Sequence, residues 1–194
     1  MTPKFFTSIL LFFSCCIKTI AQIPGAKVGS FDKFSNIGKP KIADTASYYE
    51  PSQTYRLSGS GLNIWFCLDS FALLSKKMNR DYILQTQLRF IGEGQEPYRK
   101  AGLMIGSSAA SNTMLIACIV HGDGLTAFQY RTSAGANMNE IKLTSKGPDV
   151  MQLEKRGNTY TMSVAHFGEV YQVEKLDSID LGNDLIAGLF DGIF

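Results

Sequence analysis

His121 opens a His-Gly-Asp-Gly segment, which sets an imidazole two positions from the Asp123 carboxylate. A pair of this kind on a loop rim can hold a metal ion or bond a sugar hydroxyl. Asp123-Gly124 is equally a hairpin signal, and the turn is the favoured reading. The second histidine, His166, lies far off in sequence. Neither histidine has Cys or carboxylate at ligand spacing, so a zinc site is not expected. No acidic cluster of the EF-hand kind is present either. Serine nucleophile chemistry lacks its G-x-S-x-G elbow. Gly59-Ser60-Gly61 has no following Lys-Ser/Thr and precedes a strand, so it reads as a turn and not as a phosphate loop. Glu154, Glu169 and Glu174 stand isolated, Glu154 beside Lys155 and Arg156 as on a solvated face. Asp69, just after Trp65-Phe66, is the one carboxylate in an aromatic setting. A turn cap accounts for it as well as catalysis does.

Groups suited to binding are better represented. Trp65, Tyr130, Tyr160 and Tyr171 offer flat faces on which a sugar ring could stack. Arg89, Arg99, Lys100, Gln129 and Arg131 could donate to hydroxyls. Each also has a plainer reading, the aromatics as core and the basic residues as wet strand faces. Gln129 and Arg131 alternate with Phe128 and Tyr130, so they share the polar face of one strand.

The elements that must position these groups are strands. Met151, Leu153 and Lys155 alternate with Gln152, Glu154 and Arg156. Gly157-Asn158 makes a tight turn, and Tyr160, Met162 and Val164 then share one face. Phe167-Gly168-Glu169 turns again, and Val170 to Lys175 returns. Upstream, strands are expected at Tyr55–Leu57, Asn63–Cys67, Phe71–Leu74, Asp81–Phe90, Ala101–Ile105, Met114–Val120, Leu125–Arg131 and Glu140–Leu143, with Leu185–Phe190 last. In Asp81–Phe90, Tyr82, Leu84, Leu88 and Phe90 share a face, and Ile83 is the exception. Ala101–Ile105 and Met114–Val120 are nearly all apolar, as for strands buried on both sides. No helical period exceeds a turn or two. Short strands at this spacing with Gly-rich turns imply a two-sheet sandwich or barrel.

Residues 1 to 21 read as a secretory signal peptide, with Lys4, an apolar run from Phe5 to Ile17, and Thr19-Ile20-Ala21 before the cut. Lipidation at Cys15 or Cys16, or an uncleaved anchor, is the alternative. Secretion or periplasmic release is therefore expected, with no spanning segment after cleavage. Lys4 and Lys18, two of the 19 basic residues, fall in this segment, so the remainder balances the 17 acidic residues. A neutral domain gives no electrostatic reason for nucleic acid or anionic membrane as partner. Residues 22–49, rich in Gly and Pro, read as an irregular lead-in, and 50–194 as the folded domain. Cys67 and Cys118 read as two buried free thiols, with a disulfide as the alternative.

Several blocks, in order, carry a resemblance: YRLSGSGLNIWFCLDSF, DYILQTQLRFIGEG, RKAGLMIG, VHGDGLTAFQYR, QLEKRGNTYTMSVAHFGEVYQV and LIAGLF. They are similar to the concanavalin A-like lectin/glucanase jelly rolls, in a secreted bacterial branch sometimes joined to Tol-type propellers. The resemblance covers roughly residues 34 to 190 and implies an all-β, two-sheet antiparallel jelly roll. Tyr98 and Gly106 stand where the branch carries His and Arg, and Ala72-Leu73-Leu74 replaces an aromatic-rich strand. The branch continues with a further strand beyond the block like LIAGLF, so a jelly roll lacking its last strand is expected. Retaining glucanases of the superfamily alternate Glu and Asp on one strand, and this chain has no such run. A structural Ca²⁺ is compatible with the fold, although no motif marks one; no cofactor is expected.

Together these point to an exported module that binds and does not catalyse. Its ligand would be a glycan or cell-envelope polymer, in a groove lined by Trp65, Gln129, Arg131, Arg99 and Lys100, with His121 and Asp123 as a loop contact. The alternative is a docking module for a protein of the cell envelope, such as a Tol-like partner. A divergent glycoside hydrolase using Asp69 is the third reading.

Overall fold

The computed structural model describes residues 24–40, 42–61, 64–92, 96 and 98–192. The expected signal peptide lies outside them. Thirteen strands run β1 (Lys33–Ile37), β2 (Thr45–Tyr49), β3 (Thr54–Ser58), β4 (Phe71–Met78), β5 (Tyr82–Gln87), β6 (Lys100–Gly106) and β7 (Leu115–His121). They continue with β8 (Thr126–Arg131), β9 (Asn139–Lys142), β10 (Val150–Arg156), β11 (Thr159–Ala165), β12 (Gln172–Leu176) and β13 (Leu185–Gly192). The helical content described is a 3-10 turn at Glu50–Ser52. No helix among these residues is long and apolar enough to cross a membrane.

The strands form an antiparallel sandwich. One sheet has seven strands in the order β1-β4-β13-β6-β7-β8-β9, and the other has four, β12-β11-β10-β5. A hairpin, β2-β3, makes a third small sheet. The period-two pattern explains the packing. Leu103, Ile105, Ile116, Cys118 and Phe128 point from the large sheet to meet Met151, Leu153, Tyr160, Met162 and Val164 from the small one. Tyr160, Met162 and Val164 do share the interior face, as their spacing predicts. The Gly157-Asn158 turn forms as expected, with Gly157 at φ 54°. At the β1 end, the inner face of the large sheet is closed by the hairpin. There Phe34, Ala72 and Leu74 pack with Tyr48, Tyr55 and Leu57.

Two expectations need correction. The lead-in is not irregular, since β1 and β2 fall within residues 22–49. β1 buries Phe34 toward the hairpin and Ile37 toward the opposite face, so both sides carry apolar residues and no alternation shows. The expected strand at Asn63–Cys67 is not one either: residues 64–68 form bends. Cys67 is consequently exposed, while Cys118 is buried, and both thiols are free.

The core assignment predicts its own energetics. Leu153 is fully buried between the sheets. Leu153→Ala should cost about 2–5 kcal/mol by lost transfer energy and the cavity left behind. Ile83→Ala, on an exposed position of the neighbouring strand, should change stability by less than about 0.5 kcal/mol. Urea denaturation of the two variants measures the difference.

Candidate functional site

Alternation along β8 sends Phe128 inward, so Gln129 and Arg131 emerge on the outer face of the large sheet. Their cross-strand neighbours there are Ala117 and Leu115, and Glu140 lies beside Gln129. Lys100 and His121, opposite one another on β6 and β7, belong to the same face. This face is not open. Residues 64–69 cross it as a strap, and Ile64 and Trp65 pack on Met104, Ala117, Ile119 and Phe190.

The strap is fastened mainly by Arg131, which is wholly buried. Its Nη1 donates to Asp69 Oδ2 at 2.8 Å and its Nη2 to Asp69 Oδ1 at 2.9 Å. The same guanidinium reaches the Thr113 carbonyl at 3.2 Å and the Phe66 carbonyl. Lys100 Nζ donates to the Ile64 carbonyl at 2.9 Å and stands 5.4 Å from the centre of the Trp65 ring. Two backbone bonds complete the attachment, Met138 N to the Trp65 carbonyl and Asp69 N to the Ser111 carbonyl. Because the strap pairs with no strand, these side chains do for it what a ladder does elsewhere.

Burial dominates the electrostatics. It pushes the Asp69 carboxyl upward, against the hydrogen bond and charge of Arg131. It lowers Lys100 to about 8, against the pull of Glu140 and Asp69. It lowers His121 to about 4, and the charge of Lys100 acts in the same sense. His121 is therefore neutral at pH 7, and neither ring nitrogen has a hydrogen-bond partner. Gln129 donates to Glu140 Oε2 at 2.6 Å, while its own Oε1 is buried and unpartnered. Tyr98, 61% exposed, stands edge-on to the His121 ring at 6.5 Å.

The structure thus gathers Trp65, Lys100, Gln129, Arg131 and His121 on one face. Arg99 does not join them. It precedes β6, and its guanidinium lies 4.5 Å over the Phe90 ring while donating to the Gly92 carbonyl. Asp123 accepts from Leu125 N at 2.9 Å and so caps the turn. Tyr130 and Tyr160 belong to the interior, Tyr171 lies by Gln152, and Arg89 is exposed. Sequence reasoning missed the strap, the pairing of Arg131 with Asp69, and Glu140 as partner of Gln129. The aromatic setting of Asp69 was the one available signal. Among the described residues, no three His, Cys, Asp or Glu side chains converge as a metal site would require. A crevice of about 520 Å³ opens elsewhere, between Thr144–Lys146 and the turn that carries His166 and Glu169.

No family model matches this chain, and no curated protein does. Among solved structures, it is similar to a functionally unknown protein from Saccharomyces cerevisiae. The TM-score is 0.50 at 10% identity, over 81% of this chain and 85% of that one. At that identity the likeness concerns fold alone.

Two outcomes follow from the geometry. Arg131→Ala or Asp69→Ala leaves a buried charge alone and should cost about 3–5 kcal/mol, whereas replacing both with apolar residues should cost much less. A double-mutant cycle by urea denaturation reads the coupling. His121 has a folded pKa below its unfolded value, so its contribution is complete above about pH 6.5 and disappears as pH falls toward 4. The expected loss is up to about 3 kcal/mol. His121→Phe should flatten the acid limb of stability against pH relative to the parent chain.

Proposed function

We propose that this chain is an exported, non-catalytic binding module of the concanavalin A-like jelly-roll type. Its ligand is a glycan or cell-envelope polymer, taken beside Trp65 on the outer face of the large sheet. Export rests on the sequence of residues 1 to 21. One observation carries the binding reading: both ring nitrogens of His121, which is 6% exposed, lack partners on the face that also holds Trp65 and Lys100. Hydroxyl groups would supply both the donors and the acceptors these atoms lack. Trp65 and Tyr98 add aromatic surface of the sort that meets the apolar face of a sugar ring.

The carboxylates on this face argue against hydrolysis. Both oxygens of Asp69 are held by Arg131, which leaves it neither a nucleophile nor a proton donor. Glu140 is taken by Gln129, with Lys142 at 3.6 Å. Arg131 serves as the fastening of the strap in this reading, and Trp65, Lys100 and His121 carry recognition.

A second reading, docking to a cell-envelope protein, is favoured by exposed apolar residues along the edge strand β12 and the turn before it. These are Phe167, Val170, Tyr171 and Val173.

Affinity electrophoresis against cell-wall and extracellular polysaccharides separates the two. Binding should be saturable and weakened about tenfold, near 1.4 kcal/mol, by Trp65→Ala. His121→Ala should weaken it as well, with Val173→Ser as the neutral control. Silence across the panel, or binding indifferent to Trp65 and His121, overturns the glycan reading in favour of docking.

A further inference from the structure

The crevice beside the β11-β12 turn shares no residue with the Trp65 face. One wall is the segment 144–146, and the other is the turn that carries His166 and Glu169. Val164 and Ala165, 0% and 6% exposed, form an apolar floor at the margin of the core. Register explains why the core stops there. Val164 pairs with Gln172, so this inner row of the small sheet ends on an amide at β12 and not on an apolar side chain.

Two ties fix the gap. Gln172, on β12, reaches across to the first wall. Its Oε1 accepts from Thr144 Oγ1 at 3.0 Å and from Ser145 N at 2.9 Å. Asp149, just before β10, reaches across to the second. Its Oδ2 accepts from Phe167 N at 3.0 Å and from His166 Nδ1 at 3.3 Å. Each wall is thus held by a side chain from the other's side of the crevice. A gap tied in this way is formed in advance and needs little reordering when a ligand enters.

The walls differ in sign. Lys146 and Ser145 put a cation and a hydroxyl on the first. The Glu169 carboxylate and the His166 ring stand on the second. An ionised carboxylate can only accept, so Asp149 fixes the proton of the neutral ring on Nδ1 and leaves Nε2 as an acceptor. Donors therefore face acceptors across an apolar floor. Among the described residues, neither Lys146 nor Glu169 takes part in a salt bridge. Two opposite charges line one crevice without meeting.

We propose that this crevice binds a short zwitterionic peptide with both termini free. Its carboxylate lies toward Lys146 and Ser145, and its ammonium toward Glu169 and Nε2 of His166. Such a ligand completes both walls at once, while small apolar side chains rest on Val164 and Ala165. The volume of about 520 Å³ falls within the range of about 300–1,000 Å³ usual for small-molecule sites, and it exceeds what a single amino acid fills. The site is independent of the glycan reading.

The test is calorimetric titration of the full chain with trialanine, with its N-acetylated form and with its C-terminal amide. Trialanine should bind saturably, and either cap should weaken it at least about tenfold. Lys146→Ala should weaken trialanine to a similar degree and leave the amide no worse than the free acid. Glu169→Ala should do the same for the acetylated form. Both residues are exposed, so both variants should keep the Tm of the parent chain. Alanine alone should bind more weakly than trialanine. Absence of binding heat with millimolar trialanine overturns the proposal. So does indifference to either cap, a preference for free termini that survives in both variants, or alanine binding as tightly as the peptide.

Discussion

A single buried ion pair decides what the large sheet presents to its surroundings. Arg131 meets Asp69 through two parallel hydrogen bonds and directs the same two Nη groups to strap and loop carbonyls, while its buried Nε has no partner. Guanidinium suits this place because its planar fork can bond a carboxylate and two carbonyls at once, which an ammonium cannot do. Without it, residues 64–69 would have neither ladder nor counter-charge, and Phe71, Met104 and Ile119 would lose their cover. The outer face would then be a broad apolar sheet in water. The strap turns it into a closed layer with one polar margin, at Trp65, Lys100 and His121.

The large sheet is consequently sandwiched twice. Its inner face is covered by the four-stranded sheet and, toward β1, by the β2-β3 hairpin. Its outer face is covered by irregular chain. This explains why β4, β6 and β7 are so uniformly apolar: Phe71 to Leu74, Leu103 to Ile105 and Leu115 to Val120 are buried on alternating sides without interruption. Strands of the small sheet, wet on one side, keep the strict alternation that β10 and β11 display.

That difference also marks how far the sequence could be read. Where one face meets water, as in β10, β11 and β5, side-chain period gave strand and inward residues, down to Ile83 as the outlier, although β5 stops at Gln87 and not at Phe90 as expected. Where both faces are covered, period vanishes. β6 and β7 were still recognisable as apolar runs between turns, but β1, short and flanked by glycines, was not. The strap misled for the opposite reason: Ile64-Trp65-Phe66 has strand-like composition, yet its burial comes from lying over a sheet and not from joining one. Gln129 and Arg131 were legible as a pair because alternation alone puts both on one face of β8; Lys100 and Trp65 were named beside them by residue type and not by period. Their partners were not, since Asp69 is 62 positions from Arg131, and nothing local announces such a pairing. Arg99 parted from Lys100 because neighbouring residues entering a strand diverge.

The place of β13 in the large sheet bears on how the molecule is assembled. It lies between β4 and β6 and bonds to both, with seven register pairs on either side. β4 and β6 do not touch through a ladder of their own. Until residues 185–192 leave the ribosome, the sheet exists only as two separate pieces with facing raw edges. Closure by a late strand of such high sequence separation is intrinsically slow, and the waiting edges are sticky. Completion of the large sheet therefore waits on residues 185–192, whatever order the other strands pair in.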